Sequence, residues 1–146
     1  MKAIKNTTII NASKEKVWDV LTQDHYTRQW YSEFMEGSHA VTDWKKGSKA
    51  LFVDEDGNGM ASKVTENKPG ELLVLEFTGI VMKGKEDYES DMAKQVIGGH
   101  ESYKISEKDG KVQLETSADM EDEMYNSMSE SWKKALKKIV ELAETK

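Results

Sequence analysis

A chain of 146 residues with 21 Lys plus Arg against 27 Asp plus Glu carries a formal charge of −6, which argues against the basic footprint that nucleic-acid backbones and anionic membranes select. The length is that of one domain, spanning 1–146, able to bury roughly two thirds of its unfolded surface. The absence of cysteine excludes disulfides, thiolate nucleophiles and Cys-based zinc sites.

The opening "MKAIKNTTII" is too short and too polar for a secretory signal, and nowhere do about 18 apolar residues run together as a membrane span requires. The expectation is a cytoplasmic protein without membrane insertion. Residues 2–11 alternate as a first strand. Ser13 then caps a short helix ending near Thr22 whose face is Val17, Trp18 and Leu21, and "DHYTRQWY" gives a second short helix capped by Asp24. Six strand-like runs follow: "HAVTDW", "SKALFVDED", "GMASKVTENK", "ELLVLEFTGIV", "HESYKISEK" and "KVQLETSADM". Between them stand "KKG", "DGNG", "KPG" and "KDG", each with a glycine to take a positive φ. Residues 82–99 are long, charged and poorly periodic, and read as a mobile excursion or an extended hairpin tip.

The chain closes on one amphipathic helix over 124–144 whose apolar stripe changes character halfway. Met124, Tyr125, Met128 and Trp132 occupy the first half, and Leu136, Ile139, Val140 and Ala143 continue the same face in smaller aliphatics. One strand, two short helices, six or so antiparallel strands and a long helix predict an α+β fold. In it a curved antiparallel sheet of six to seven strands wraps the C-terminal helix.

That order, with "INASKEKVWDVLTQDHYTRQWY", "WKKGS", "NKPGELLVLEF" and "SESWKKALKKIVELAE" in sequence, resembles the START-like superfamily, also called SRPBCC or birch-pollen-allergen-like. The branch most alike is that of the activator of the 90-kDa heat-shock-protein ATPase. The resemblance covers nearly the whole chain and departs at 81–99, where the family usually passes directly from one long strand to the next. It implies a helix-grip fold with a cavity between sheet and helix that holds an apolar ligand in many relatives. It offers no catalytic residues and no cofactor to transfer.

On that implication the adaptable Met124 and Met128 line the open end with Tyr125, and Trp132 forms the floor. Strand alternation and the short helices add Trp30, Tyr31, Phe34, Met35, Phe52, Met60, Phe77 and Tyr103 as wall candidates, with Trp18 the weakest. Against this stands the plainer reading, since a Met and aromatic stripe at helical spacing also serves as ordinary core.

His25, His39 and His100 are not at metal-ligand spacing, and only a pairing of His39 with His100 across the sheet, beside Glu101 or Asp43, would make a metal site. Glu76 or Glu101 would do acid or base work if strand alternation aims one inward. The acidic run before the last helix, Asp119, Glu121, Asp122 and Glu123, meets the positive end of the helix dipole. No catalytic set and no metal set is therefore assigned.

Three functions compete. The first is a module binding an apolar or amphipathic small molecule, with 82–99 as a lid. The second is a hydrolase or cyclase using the same cavity, and the third a protein-interaction role like that of the heat-shock ATPase activator. An inward, desolvated carboxylate would favour the enzyme, a dry cavity the binder, and an exposed apolar patch over a filled core the partner protein. Exposed strand edges leave monomer and homodimer both open.

Overall fold

The computed structural model describes residues 1–145. Strand β1 (Lys2–Ile10) turns Ile4 and Ile10 inward. The Ser13 hydroxyl accepts from the Lys16 N–H at 3.1 Å and starts α1 (Lys14–Thr22). The buried face of α1 is Val17, Val20 and Leu21, while Trp18 is half-buried. Val20 joins the face read from the sequence, and Trp18 packs against the edge of the core. Helix α2 (Asp24–Tyr31) is capped by Gln23 without a side-chain bond, and Asp24 inside the first turn pairs with Arg28 at 2.6 Å.

The sheet comprises β2 (His39–Val41), β3 (Lys49–Val53), β4 (Gly59–Lys68), β5 (Leu72–Met82), β6 (Lys85–Asp87), β7 (His100–Lys108) and β8 (Lys111–Met120) with β1. All pairings are antiparallel, in the order β1-β8-β7-β5-β4-β3-β2, with β6 on β5. Register shifts between β4 and β5 at Ala61/Ser62 and Val64/Glu66 bend the sheet. One glycine of each of the four expected turns, Gly47, Gly57, Gly70 and Gly110, takes positive φ. Strand β2 ends earlier than expected because side chains capture the ladder's donors. Thr42 Oγ1 accepts from the Trp44 N–H at 3.0 Å and Asp43 Oδ1 from that of Lys45 at 2.9 Å, with Trp44 at φ 62°.

Residues 82–99 begin as a hairpin, one of the two expected readings, and continue as a short helix rather than as an open excursion. Lys83 and Gly84, at φ 49° and 79°, turn β5 into β6 with the geometry of a two-residue hairpin. Asp87 Oδ1 then accepts from the Glu89 and Ser90 N–H groups, and the Ser90 hydroxyl caps α3 (Asp91–Val96). Bonds between Phe77 and Gly98–Gly99 fasten the return to β5. The signals were single residues, which periodicity does not register.

Helix α4 (Asp122–Glu144) lies across the concave face and packs on β1, β8, α1 and α2. Glu121, Asp122 and Glu123 sit at its N-terminus as expected, whereas Asp119 remains on β8. Burial along it is graded: Met124 is 49% exposed, Tyr125 and Met128 are half-buried, and Trp132, Ala135, Leu136, Ile139 and Ala143 are buried. Among the described residues, no helix is long and apolar enough to cross a membrane.

Candidate functional site

Strand alternation places Glu101, Tyr103 and Ile105 of β7 on the face that meets α4. Register then fixes their neighbours. Leu75 and Ala118 flank Glu101, and Leu73 and Thr116 flank Tyr103. Above this row the aromatic side chains form a continuous chain of ring contacts. Trp30 meets Tyr31 edge-on at 4.5 Å and Tyr103 at 6.2 Å, Tyr103 meets Trp132 at 6.1 Å, and Trp132 meets Phe34 at 5.0 Å. Phe52 extends it through Tyr31 at 5.8 Å and Trp44 at 6.2 Å.

Into this apolar wall Glu101 brings a carboxylate. It is half-buried as a residue, yet protein surrounds its carboxyl group deeply enough that burial pushes its pKa up to about 7, against a weaker opposing effect of the hydrogen bond from Tyr103. The Tyr103 hydroxyl donates to Glu101 Oε2 at 2.8 Å. Burial first, and the nearby Glu101 charge second, hold the Tyr31 and Tyr103 hydroxyls well above their ordinary range. Beside Tyr103, the Thr116 hydroxyl is buried, the residue being 4% exposed, and has no hydrogen-bond partner among the described residues.

Of the residues expected at the wall, Trp30, Tyr31, Phe34, Phe52, Tyr103 and Trp132 stand together in this chain of rings. Tyr125 and Met128 border it from α4. Phe77 is buried and Met60 half-buried opposite Phe52, but neither joins the main core cluster. Met35, 38% exposed, and Met124 face solvent. Two contributors were missed. Trp44, read as a strand end, reaches back so that its Nε1–H donates to the Thr22 carbonyl at 2.9 Å. Thr116 follows Val112 and Leu114 at period two, a signal that places it inward on its own.

The other chemistry-bearing residues disperse. Glu76 pairs with His100 on the opposite face from Glu101, and His100 lies 3.8 Å from Asp119. His39 is on the edge strand β2 with β3, β4 and β5 between it and β7, so it does not meet His100. His25 rests against the Tyr26 ring. Among the described residues, no group of three His, Asp or Glu side chains is arranged to hold a metal. Two open depressions lie away from the aromatic chain. One of about 540 Å³ runs along the β5–β6 hairpin at Met82, Lys85 and Tyr88, and one of about 250 Å³ lies between Asn6 and Thr8 of β1 and Lys133, Leu136, Lys137 and Val140 of α4.

The family model described as "Activator of Hsp90 ATPase homolog 1-like protein" matches residues 11–144. Among solved structures, the Aha1 dimer from Colwellia psychrerythraea, determined in solution, is 18% identical with a TM-score of 0.72, over 99% of this chain and 97% of that one. The protein MLL2253 from Mesorhizobium loti is 14% identical with a TM-score of 0.73, over 97% and 96% of the two chains. DynU16, from the dynemicin biosynthetic locus, is 13% identical with a TM-score of 0.73, over 99% of this chain and 48% of that one. These likenesses are of fold. No curated protein matches the sequence.

Proposed function

We propose that this chain, which belongs to the family of activator of Hsp90 ATPase homolog 1-like proteins, binds a small amphipathic molecule between the inner face of the sheet and the N-terminal half of α4. The observation that carries this reading is Glu101, an acid set on the inner face of the sheet against Tyr103, next to an unpartnered Thr116 hydroxyl. A core serving stability alone gains nothing from a desolvated carboxyl group or an orphaned hydroxyl, each of which costs free energy unless something bonds it. A ligand with an apolar body and a polar head would satisfy both. The half-buried Phe34, Tyr125 and Met128 at the same end are the side chains able to repack around it.

Acid–base chemistry on the bound molecule is the second reading. Its support is the same carboxyl group, whose proton is poised near neutrality and so suited to transfer in either direction. A partner-protein role, which the family name suggests, has its support in the exposed Met82, Tyr88, Met92 and Ile97 around the β5–β6 hairpin and α3.

Native mass spectrometry of the purified protein, followed by thermal shift against fatty acids, sterols, aromatics, isoprenoids and alkylamines, tests the primary reading. A retained small molecule, or stabilisation growing with ligand concentration as linkage demands, is the expected result. A bare mass with no shift across the series would turn attention to the exposed hairpin and a protein partner.

A further inference from the structure

The carboxyl group of Glu101 is the point at which the inner wall is chemically incomplete. One oxygen accepts from Tyr103. Among the described residues, no Lys, Arg or His stands within ion-pair distance of it. Lys2 belongs to the same end of the molecule, since it pairs in register with Met120 beside Ala118, but its ammonium lies over the Tyr125 ring at 5.7 Å. A half-buried carboxylate recovers its desolvation cost through a close opposite charge or by taking up a proton. The described residues supply a hydroxyl to Glu101 and no positive charge within ion-pair distance.

The surroundings favour the same complement. Tyr103, which bonds the acid directly, belongs with Trp30 and Tyr31 to one chain of rings, and aromatic faces attract cations and repel anions. Ala118, opposite Glu101 on β8, is the smallest neighbour in the row. Thr116, one step along the same face, holds an unused hydroxyl that can accept an N–H. An anionic head would meet a carboxylate and ring faces of the same sign.

From this juxtaposition we propose that the ligand carries a protonated amine head on an apolar body, with the ammonium seated between Glu101, the Thr116 hydroxyl and the aromatic rings. This rests on the reading of the site as a ligand pocket, and narrows it to one class of head group. A neutral alcohol can use the hydrogen bonds without the charge; a fatty acid can accept from the Thr116 hydroxyl but meets the like charge of Glu101.

Titration of the 146-residue chain with n-octylamine, 1-octanol and octanoate, by calorimetry at physiological ionic strength, separates the two levels of the reading. Octylamine should bind about tenfold or more tighter than octanol, and octanoate weakest, because only the amine brings a charge opposite in sign to that of Glu101. In Glu101→Gln, which keeps an acceptor for Tyr103, the amine should lose about tenfold while octanol changes little. Glu76→Gln, on the outer face, should leave both unchanged and so removes general attraction to an acidic protein as the cause. Octanol or octanoate binding as tightly as the amine, or an amine affinity indifferent to Glu101→Gln, would overturn the amine assignment and leave a pocket for another head group. No binding by any of the three would count against the pocket itself. The order of affinities in the unaltered protein is informative even if the variant fails to fold.

Discussion

The Tyr103 hydroxyl donates to Glu101 Oε2 at 2.8 Å, from two residues along the same strand and therefore from the same face of the sheet. Burial has raised the acid from an ordinary 4.5 to about 7, so the folded protein holds this proton more tightly than the unfolded chain does. Its stabilising contribution is fully present below about pH 4.5 and is lost as pH rises through about 7. A difference of that size corresponds to a ceiling of about 3 kcal/mol. Glu101→Gln never ionises and retains the acceptor for Tyr103. It should match the parent near pH 4.5 and exceed it by up to about 3 kcal/mol at pH 8 in urea unfolding. A difference that stays constant with pH would mean that Glu101 titrates as it does in the unfolded chain.

Two tryptophans finish α1. The Trp30 Nε1–H donates to the Val20 carbonyl at 2.8 Å and the Trp44 Nε1–H to the Thr22 carbonyl at 2.9 Å. These are last-turn carbonyls, which a helix cannot satisfy internally. Trp30→Phe leaves the Val20 carbonyl orphaned in the core and should cost about 1–3 kcal/mol for the lost partner, with a packing loss added. Trp44→Phe should cost less, because Trp44 is half-buried and water can reach its partner. Equilibrium unfolding of both variants checks the order, and equal losses would contradict it.

At Gly57, φ is +81° and an added Cβ would meet the Gly84 backbone nitrogen at 2.6 Å, where the Gly84 N–H donates to the Gly57 carbonyl. The β3–β4 and β5–β6 turns are thus pressed together backbone to backbone. Gly57→Ala should destabilise by about 1–3 kcal/mol and speed amide exchange at Lys83 and Gly84. Gly84→Ala has the same sign of φ but open space for its Cβ, so only the conformational cost of roughly 1–2 kcal/mol applies. Comparison of the two separates contact from backbone strain.

The order of strands and helices was legible because most of these elements bury one face, and burial writes a period of 2 or 3.6 into the sequence. β7 and β8 match their expected bounds to the residue. What periodicity does not carry is local hydrogen bonding, and there the reading failed. The Thr42 and Asp43 side chains that stop β2, the Lys83–Gly84 turn and the Ser90 cap of α3 are each settled by one or two polar atoms. The site was legible in part for the same reason. Tyr103, Trp30 and Trp132 announce themselves as large apolar side chains, whereas Glu101 extends the inward row of Tyr103 and Ile105 with a charged residue of the kind that usually faces water, and its pairing with Leu75 and Ala118 is what sets it on the inner face. Thr116 was overlooked because threonine is at home on either face of a sheet.

The change of side-chain type along α4 has a physical counterpart in how firmly each half is held. Its N-cap, Glu121, makes no side-chain bond to the first turn, and Met124 is 49% exposed. Ile139, by contrast, is fully enclosed with Leu136 and Ala143 beside it. Met124→Ala removes little buried area, and alanine improves helix propensity, so its effect should stay within about 0.5 kcal/mol. Ile139→Ala opens a cavity in the core on which α4 packs with β1 and α1, and should cost about 2–5 kcal/mol. Amide exchange should follow the same gradient, faster over residues 122–128 than over 132–143, since opening the first turns exposes few apolar contacts. An octylamine-bound sample should narrow that difference from the N-terminal side, because a ligand seated under Tyr125 and Met128 would give those turns the packing they lack. If the two halves exchange alike in the free protein, the first turns of α4 are held by something other than the side chains beneath them, and the adaptable half of the helix is not the wall that moves.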